Sequence, residues 1–306
     1  MNETNQKVSV LTRPLVVMVL ALLCCALWGS AFPCVKIGYE LFGIQGPSSQ
    51  LLFAGYRFVL AGVFTFAAAC LMEKRLVTIQ RSSIPYVCGQ GLLQTTIHYL
   101  FFYIGLANTA GSKGAIINGS NAFFAIILAH FLIRNERFTL KKAIGCVFGF
   151  AGVVLVNLAP GALGGGFSLT GEGFIVLCSI AYGASSVTMK MISHRENTTV
   201  ITAYQFMFGG SILILIGLLT GGKVEAASGA AWGMLLYLGI LSTVAFSIWA
   251  MLLKENPVGR VAIYGFSIPL FGALLSALML GENIVSWNSV CALVLVCVGI
   301  LIVNRN

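Results

Sequence analysis

Residues 112–133 read SKGAIINGSNAFFAIILAHFLI, and residues 259–280 read GRVAIYGFSIPLFGALLSALML. Set side by side, Lys113 falls opposite Arg260, Ala115 opposite Ala262, Ser120 opposite Ser267 and Phe124 opposite Phe271. The match extends over residues 96–157 and 243–304, with a one-residue slip near the connection that follows each stretch, and places Gly152 opposite Gly299. Earlier segments correspond more loosely. Trp28-Gly29 through Lys36 resembles Tyr182-Gly183 through Lys190, and residues 54–58 resemble residues 202–206. The chain therefore reads as a doubled unit, residues 1–159 and 171–306, joined by a Pro/Gly-rich linker at residues 160–170.

Composition fixes the solvent around that unit. Of the residues, 58% are hydrophobic and only 9% charged, against roughly 25% charged in soluble domains. A helix rising about 1.5 Å per residue needs about 20 apolar residues to cross a hydrocarbon core about 30 Å thick. Runs of that kind occupy residues 15–37, 50–72, 84–106, 112–133, 140–158, 173–192, 200–220, 230–252, 258–280 and 285–303. They are apolar all round and twice as long as the alternating strands of about 10 residues that a membrane barrel uses. The first run lacks a small-residue cleavage site and reads as a span, not a signal peptide. The expected fold is an all-α integral membrane protein of about ten transmembrane helices, placed in the inner (plasma) membrane. Five helices per unit is an odd number, so the second unit is expected upside down relative to the first.

Short cytoplasmic loops accumulate Lys and Arg. Loops on one side carry Lys7, Arg13, Lys74, Arg75, Arg81, Arg134, Arg137, Lys141, Lys142, Lys190, Arg195, Lys254, Arg260 and Arg305, and the other side carries Lys36, Lys113 and Lys223. This bias of 14 to 3 predicts that both termini are cytoplasmic. It also accounts for most of the +9 net charge without nucleic acid as a partner.

Several function classes fall away. The chain has no Asp, and all its Glu residues fall in loops, tails or span ends, so no buried carboxylate relay is visible. The cysteines show no C-x-x-C and no His cluster, so neither a disulfide framework nor a metal site is indicated, and nothing calls for a cofactor. An intramembrane enzyme would lack both an Asp and an H-E-x-x-H motif. A passive channel should show rings of like polar residues, although a uniporter with a lined cavity would look the same as a coupled carrier.

The polar residues inside the runs are the candidates for a central solute cavity. Arg57 is the sharpest, because a guanidinium at that depth costs at least about 2.5 kcal/mol unless partners, water or a ligand meet it. It can clamp a carboxylate or phosphate through its planar fork, snorkel to the periplasmic interface, or pair with a backbone carbonyl. Gln90, Gln94 and His98 share one helical stripe. His98 is the best candidate for any proton coupling, and the plainer alternative is a neutral packing residue. Asn118 and Asn121 share a face of the fourth run, as Tyr264 and Ser267 do in the ninth. Such groups also glue membrane helices together. Trp28, Tyr182 and Trp249 lie mid-run, where aromatic walls suit an amphipathic solute. The expected partners are the bilayer and a small anionic or zwitterionic molecule.

A family resemblance completes the picture. The Trp-Gly-Ser-Ala-Phe at residues 28–32, the Asn135-Glu136-Arg137-Phe138-Thr139 and Gly281-Glu282 connections, and Ile268-Pro269-Leu270-Phe271 resemble the EamA-type branch of the drug/metabolite transporter superfamily. The resemblance implies a two-repeat carrier with a central cavity, moving small metabolites such as amino acids, commonly outward. Pro33 and Pro269 are the candidate hinges. The sequence departs from the family in the fourth run, where Ala122 replaces a proline, which sets a symmetric hinge against the sequence.

Overall fold

The computed structural model describes residues 9–109, 114, 117–157, 167–225, 228–280 and 287–305. Lys113, residues 160–166 of the linker and the Gly281-Glu282 connection lie outside them. Among the described residues every regular element is helical. In chain order these are α1 (Pro14–Leu41), α2 (Gly46–Glu73), α3 (Ile84–Gly91, a π-helical turn Leu92–Ile97, then His98–Ala107), α4 (Ile117–Leu132) and α5 (Leu140–Asn157). The second half holds α6 (a π-helical turn Leu169–Gly173, then Phe174–Ile192), α7 (Thr198–Leu219), α8 (Gly229–Glu255), α9 (Val258–Ala262, a 3-10 segment Ile263–Ser267, then Ile268–Leu280) and α10 (Trp287–Asn304). Helices α1, α2, α6, α7, α8 and α9 are long and apolar enough to cross a bilayer, and α4 and α10 add shorter apolar helices.

Two helices depart from the uninterrupted runs that hydropathy predicts. The π-helical turn of α3 sits where Gly91 meets the Gln205 carbonyl of α7 and Thr96 Oγ1 donates to the Gly209 carbonyl at 3.1 Å. That contact pulls the α3 backbone toward α7. In α9, Pro269 removes the N–H that residue 265 would accept from, and a 3-10 segment results. Within it Ser267 Oγ donates to the Tyr264 carbonyl at 2.5 Å.

The same break occurs in α4 without a proline. Ser120 donates both its N–H, at 3.0 Å, and its Oγ, at 2.6 Å, to the Ile117 carbonyl. Ser120 is the residue opposite Ser267 in the sequence match, and Ile117 is opposite Tyr264. A serine returning its hydroxyl to the preceding turn loosens a helix locally, so Ala122 in place of proline does not straighten α4.

Packing follows one pattern. Helix α2 lies along α7 and α5 along α10, α1 packs on α8 and α9, and α6 packs on α3 and α4. Exchanging α1–α5 with α6–α10 maps this set of pairs onto itself. The α2–α7 pair is antiparallel, since Gly55 meets Ile214 while Gly62 meets Met207. Close approach occurs at corresponding glycines. A Cβ on Gly29 would stand 2.5 Å from Phe271 Cβ, and one on Gly183 would stand 2.7 Å from the Ala125 nitrogen and 2.9 Å from Phe124 Cβ. Gly29 corresponds to Gly183 and Phe271 to Phe124 in the sequence match, so small residues let backbones meet at matched points in both halves.

Candidate functional site

The middle of the bundle is aromatic. Trp28 on α1 meets Trp249 and Phe246 on α8, each at 5.0 Å between ring centroids and edge to face, and Tyr182 on α6 at 6.4 Å. Trp28 and Tyr182 are corresponding residues of the two halves and face each other at the centre. Beside them lies a small cavity of about 10 Å³, room for about one water, lined by Asn121, Ala125, Tyr182, Ser186, Trp249 and Gly265. The Nε1 atoms of Trp28 and Trp249 are buried without a hydrogen-bond partner. Buried indole N–H groups usually find an acceptor, so these are two unused donors near the cavity, which Trp249 lines.

Arg57 sits about midway along α2, 4% exposed. Its Nε donates to Ser242 Oγ of α8 at 3.0 Å, and its guanidinium carbon stands 5.1 Å from the Phe58 ring. Ser242 passes its own proton to the Leu238 carbonyl at 2.9 Å. Among the described residues no carboxylate pairs with Arg57, whereas Arg75 pairs with Glu73 and Lys142 with Glu136. The interface snorkel expected as an alternative is not the geometry found, because the side chain turns inward to α8.

The remaining sequence candidates divide between cavity and frame. Gln90 Nε2 donates to Gln94 Oε1 at 2.9 Å and to the Ser185 carbonyl at 3.0 Å, and Gln90 Oε1 accepts from Thr188, so this amide ties α3 to α6. His98 lies 3.2 Å, through Nδ1, from the Cys178 carbonyl. The same Nδ1 lies 3.3 Å from Cys178 Sγ, so it can donate to the carbonyl in one tautomer or accept from the thiol in the other. The His98 ring also stands 5.2 Å from Tyr182, one step behind the chamber wall. Asn118 Oδ1 lies 3.5 Å from Cys178 Sγ, whereas Asn121 reaches the cavity. Tyr264 is buried, its carbonyl taken up by Ser267 and by Cys25 Sγ at 3.2 Å. Pro33 is inside α1, which runs on through it, while Pro269 opens the last part of α9.

Two sets of contacts cross the bundle at the end where Lys and Arg gather. Glu136, on the loop after α4 and 6% exposed, accepts the N–H of Val258 at 2.5 Å and of Gly259 at 3.2 Å, at the start of α9. Lys190, near the end of α6, donates to the carbonyls of Lys254 at 2.9 Å and Asn256 at 2.7 Å, between α8 and α9. Both contacts join the α3/α4/α6 set to the α1/α8/α9 set.

Sequence reasoning passed over three groups. Tyr39 on α1 and Tyr99 and Tyr103 on α3 lie within electrostatic range of Arg57, and single tyrosines in apolar runs carry no signal of their own. Glu136 was visible only as part of a loop motif. Gln205, 0% exposed, leaves both amide atoms without partners, as does Thr95 Oγ1. Gln205 is the residue opposite Arg57 in the match of residues 54–58 to 202–206, and that correspondence was the available signal.

Comparison with known proteins agrees with this architecture. The model of the EamA-like transporter family matches residues 15–158 and again residues 169–305. The uncharacterized transporter YvbV of Bacillus subtilis (strain 168) is 26% identical over 288 residues, 91% of this chain and 88% of its own. A protein named probable amino-acid metabolite efflux pump, from Salmonella typhimurium (strain LT2), is 25% identical over 299 residues, 92% of this chain and 93% of its own. A solved crystal structure superposes with a TM-score of 0.77 at 19% identity, covering 94% of this chain and 96% of that one, which speaks to the fold alone.

Proposed function

The chain belongs to the EamA-like transporter family, and from that premise we propose that it exports a small amphipathic metabolite across the inner membrane by alternating access. Ten helices cross the bilayer in this reading, with both termini cytoplasmic. Residues 1–159 and 171–306 form two inverted five-helix halves around the linker 160–170. The basic end tied by Glu136 and Lys190 is the cytoplasmic end. The two matches to one family model and the exchange symmetry of the helix pairs support this arrangement. Inverted halves allow one structure to be stable in two related packings that open to opposite sides.

The observation that carries the reading is the central chamber. Corresponding residues of the two halves, Trp28 and Tyr182, meet there, the indole N–H groups of Trp28 and Trp249 are buried without partners, and the Asn121 amide lines the cavity. Apolar walls with a few convergent polar groups are the usual make-up of a small-molecule site. The name of the Salmonella relative supports amino acids or related compounds as the cargo and export as the direction.

The test is metabolite profiling of medium and cytosol from cells overexpressing the protein, with an Arg57→Ala variant as control. A small amphipathic compound enriched in the medium only with the parent supports export and names the cargo. Unchanged profiles, with membrane insertion verified, refute it.

A further inference from the structure

Arg57 ties α2 to α8 with only part of its guanidinium. It is a cation at about mid-depth of a membrane helix, 4% exposed, with one protein hydrogen bond, through Nε to Ser242 Oγ. Among the described residues no acceptor meets its two outer nitrogens, and neither is among the fully enclosed unpaired atoms, so they border open space. Leaving a buried guanidinium so sparsely bonded is costly unless water or an anion meets it. Around it stand phenols from two other helices. Phe58, beside Arg57, meets the Tyr99 ring at 4.6 Å, tilted by 48°, and Tyr99 is 6.1 Å from Tyr103. Tyr39 comes in from α1, its hydroxyl buried beside that of Tyr103. Tyr39 belongs to the α1/α8/α9 set and Tyr99 and Tyr103 to α3, so the cluster spans the line along which the two sets separate.

The surroundings limit what the rest of the ligand can be. Along α8, Ser242, Phe246 and Trp249 follow at positions i, i+4 and i+7, one face of a helix. Seven residues rise about 10 Å, so an apolar wall leads from Arg57 to the chamber. Phe246 and Trp249 both contact Trp28 along that wall. The chain has no Asp, and no Glu lines the chamber. Among the described residues the interior thus supplies a full opposite charge for an anion and no carboxylate for an ammonium group.

We propose that Arg57, with the phenols of Tyr39, Tyr99 and Tyr103, forms an oxyanion subsite, and that the cargo is an amphipathic monocarboxylate whose uncharged body lies along Phe246, Trp28 and Trp249. The proposal rests on the transporter reading and narrows its substrate class. Arg supplies a bidentate fork for the carboxylate, the phenols donate to its remaining lone pairs, and the aromatic face takes the body.

The experiment uses the purified full-length protein in lipid nanodiscs, with tryptophan fluorescence and the thermal midpoint as readouts. The probes are 3-phenylpropionate, its neutral amide 3-phenylpropionamide, phenylalanine and phenethylamine, each titrated at constant ionic strength. The expected result is a saturable response to 3-phenylpropionate, weaker by tenfold or more in Arg57→Gln, partly kept in Arg57→Lys and reduced in Tyr39→Phe, with little response to the amide or the amine. An equal response to the amide, an unchanged response in Arg57→Gln with a parent-like melting curve, or no response of the parent to any probe overturns the subsite. Tighter binding of phenylalanine than of 3-phenylpropionate overturns the monocarboxylate assignment. Because this is a binding measurement, its failure is separable from that of export. Profiling that finds an Arg57-independent exported compound would leave transport standing without the subsite.

Discussion

The carboxylate of Glu136 receives the backbone N–H of Val258 at 2.5 Å, tying the loop after α4 to the first turn of α9. A buried charge held by main-chain donors contributes about 1.5–3 kcal/mol per bond. Glu136→Gln should therefore loosen the basic end without unfolding the bundle. Hydrogen exchange of the peptide covering residues 257–262 should quicken by about tenfold or more, while peptides from α2 and α7 keep their protection. Equal exchange in both proteins would show that the contact holds nothing closed.

Substitution of Arg57 separates transport from assembly. Arg57→Ala should lower export by about tenfold or more, the equivalent of losing one charge-assisted bond, with insertion and yield unchanged. His98→Ala should also lower export, because the ring braces Tyr182 at 5.2 Å and meets Cys178. Parent-like export by both variants would remove these residues from the mechanism.

Matched glycines should answer alike. A Cβ at Gly29 or Gly183 meets the facing helix at 2.5–2.9 Å, and overpacking of this kind costs about 1–3 kcal/mol. Gly29→Val and Gly183→Val should each lower the thermal midpoint of the purified protein, by about 2–4 °C per kcal/mol, and by similar amounts. A large loss at one and none at the other would break the correspondence between halves.

The orphaned amide of Gln205 gives a prediction of the opposite sign. Its Nε2 and Oε1 and the neighbouring Thr95 Oγ1 are buried without partners, and each such atom is a destabilising burden of about 1–3 kcal/mol. Gln205→Leu, close in volume, should raise the thermal midpoint by a few degrees. A lower midpoint would mean that the amide has partners within the bundle.

Much of this molecule is written in its composition. Long apolar runs and sparse charge dictate helices in lipid, because the bilayer leaves backbone groups no other partners, and the side-by-side match of residues 112–133 and 259–280 carries the doubled plan. The chamber was half legible. Trp28, Tyr182, Trp249 and Asn121 could be picked out as unusual mid-run residues, and they do come together. Gln90 and His98 looked equivalent to them in sequence, yet their hydrogen bonds run sideways into α6, a distinction set by helix rotation that a single strand of sequence does not encode. The break in α4 was hidden for a related reason. Proline announces a helix break, whereas Ser120 makes one only when its hydroxyl turns back to the Ile117 carbonyl. Tyr39, Tyr99 and Tyr103 escaped notice because their meaning lies in nearness to Arg57 across three helices.

Alternating access requires the basic end to part on every cycle, and a reversible cross-link tests that most directly. Cysteines placed at Glu136 and Val258 would join the two helix sets where they now touch, and export of the compound found by profiling would be followed in cells before oxidation, after it and after reduction. The account predicts that export stops when the disulfide forms and returns on reduction, while each single-cysteine variant keeps its own rate under oxidant. Undiminished export from fully cross-linked protein would contradict it, since cargo would then be passing without the basic end ever opening.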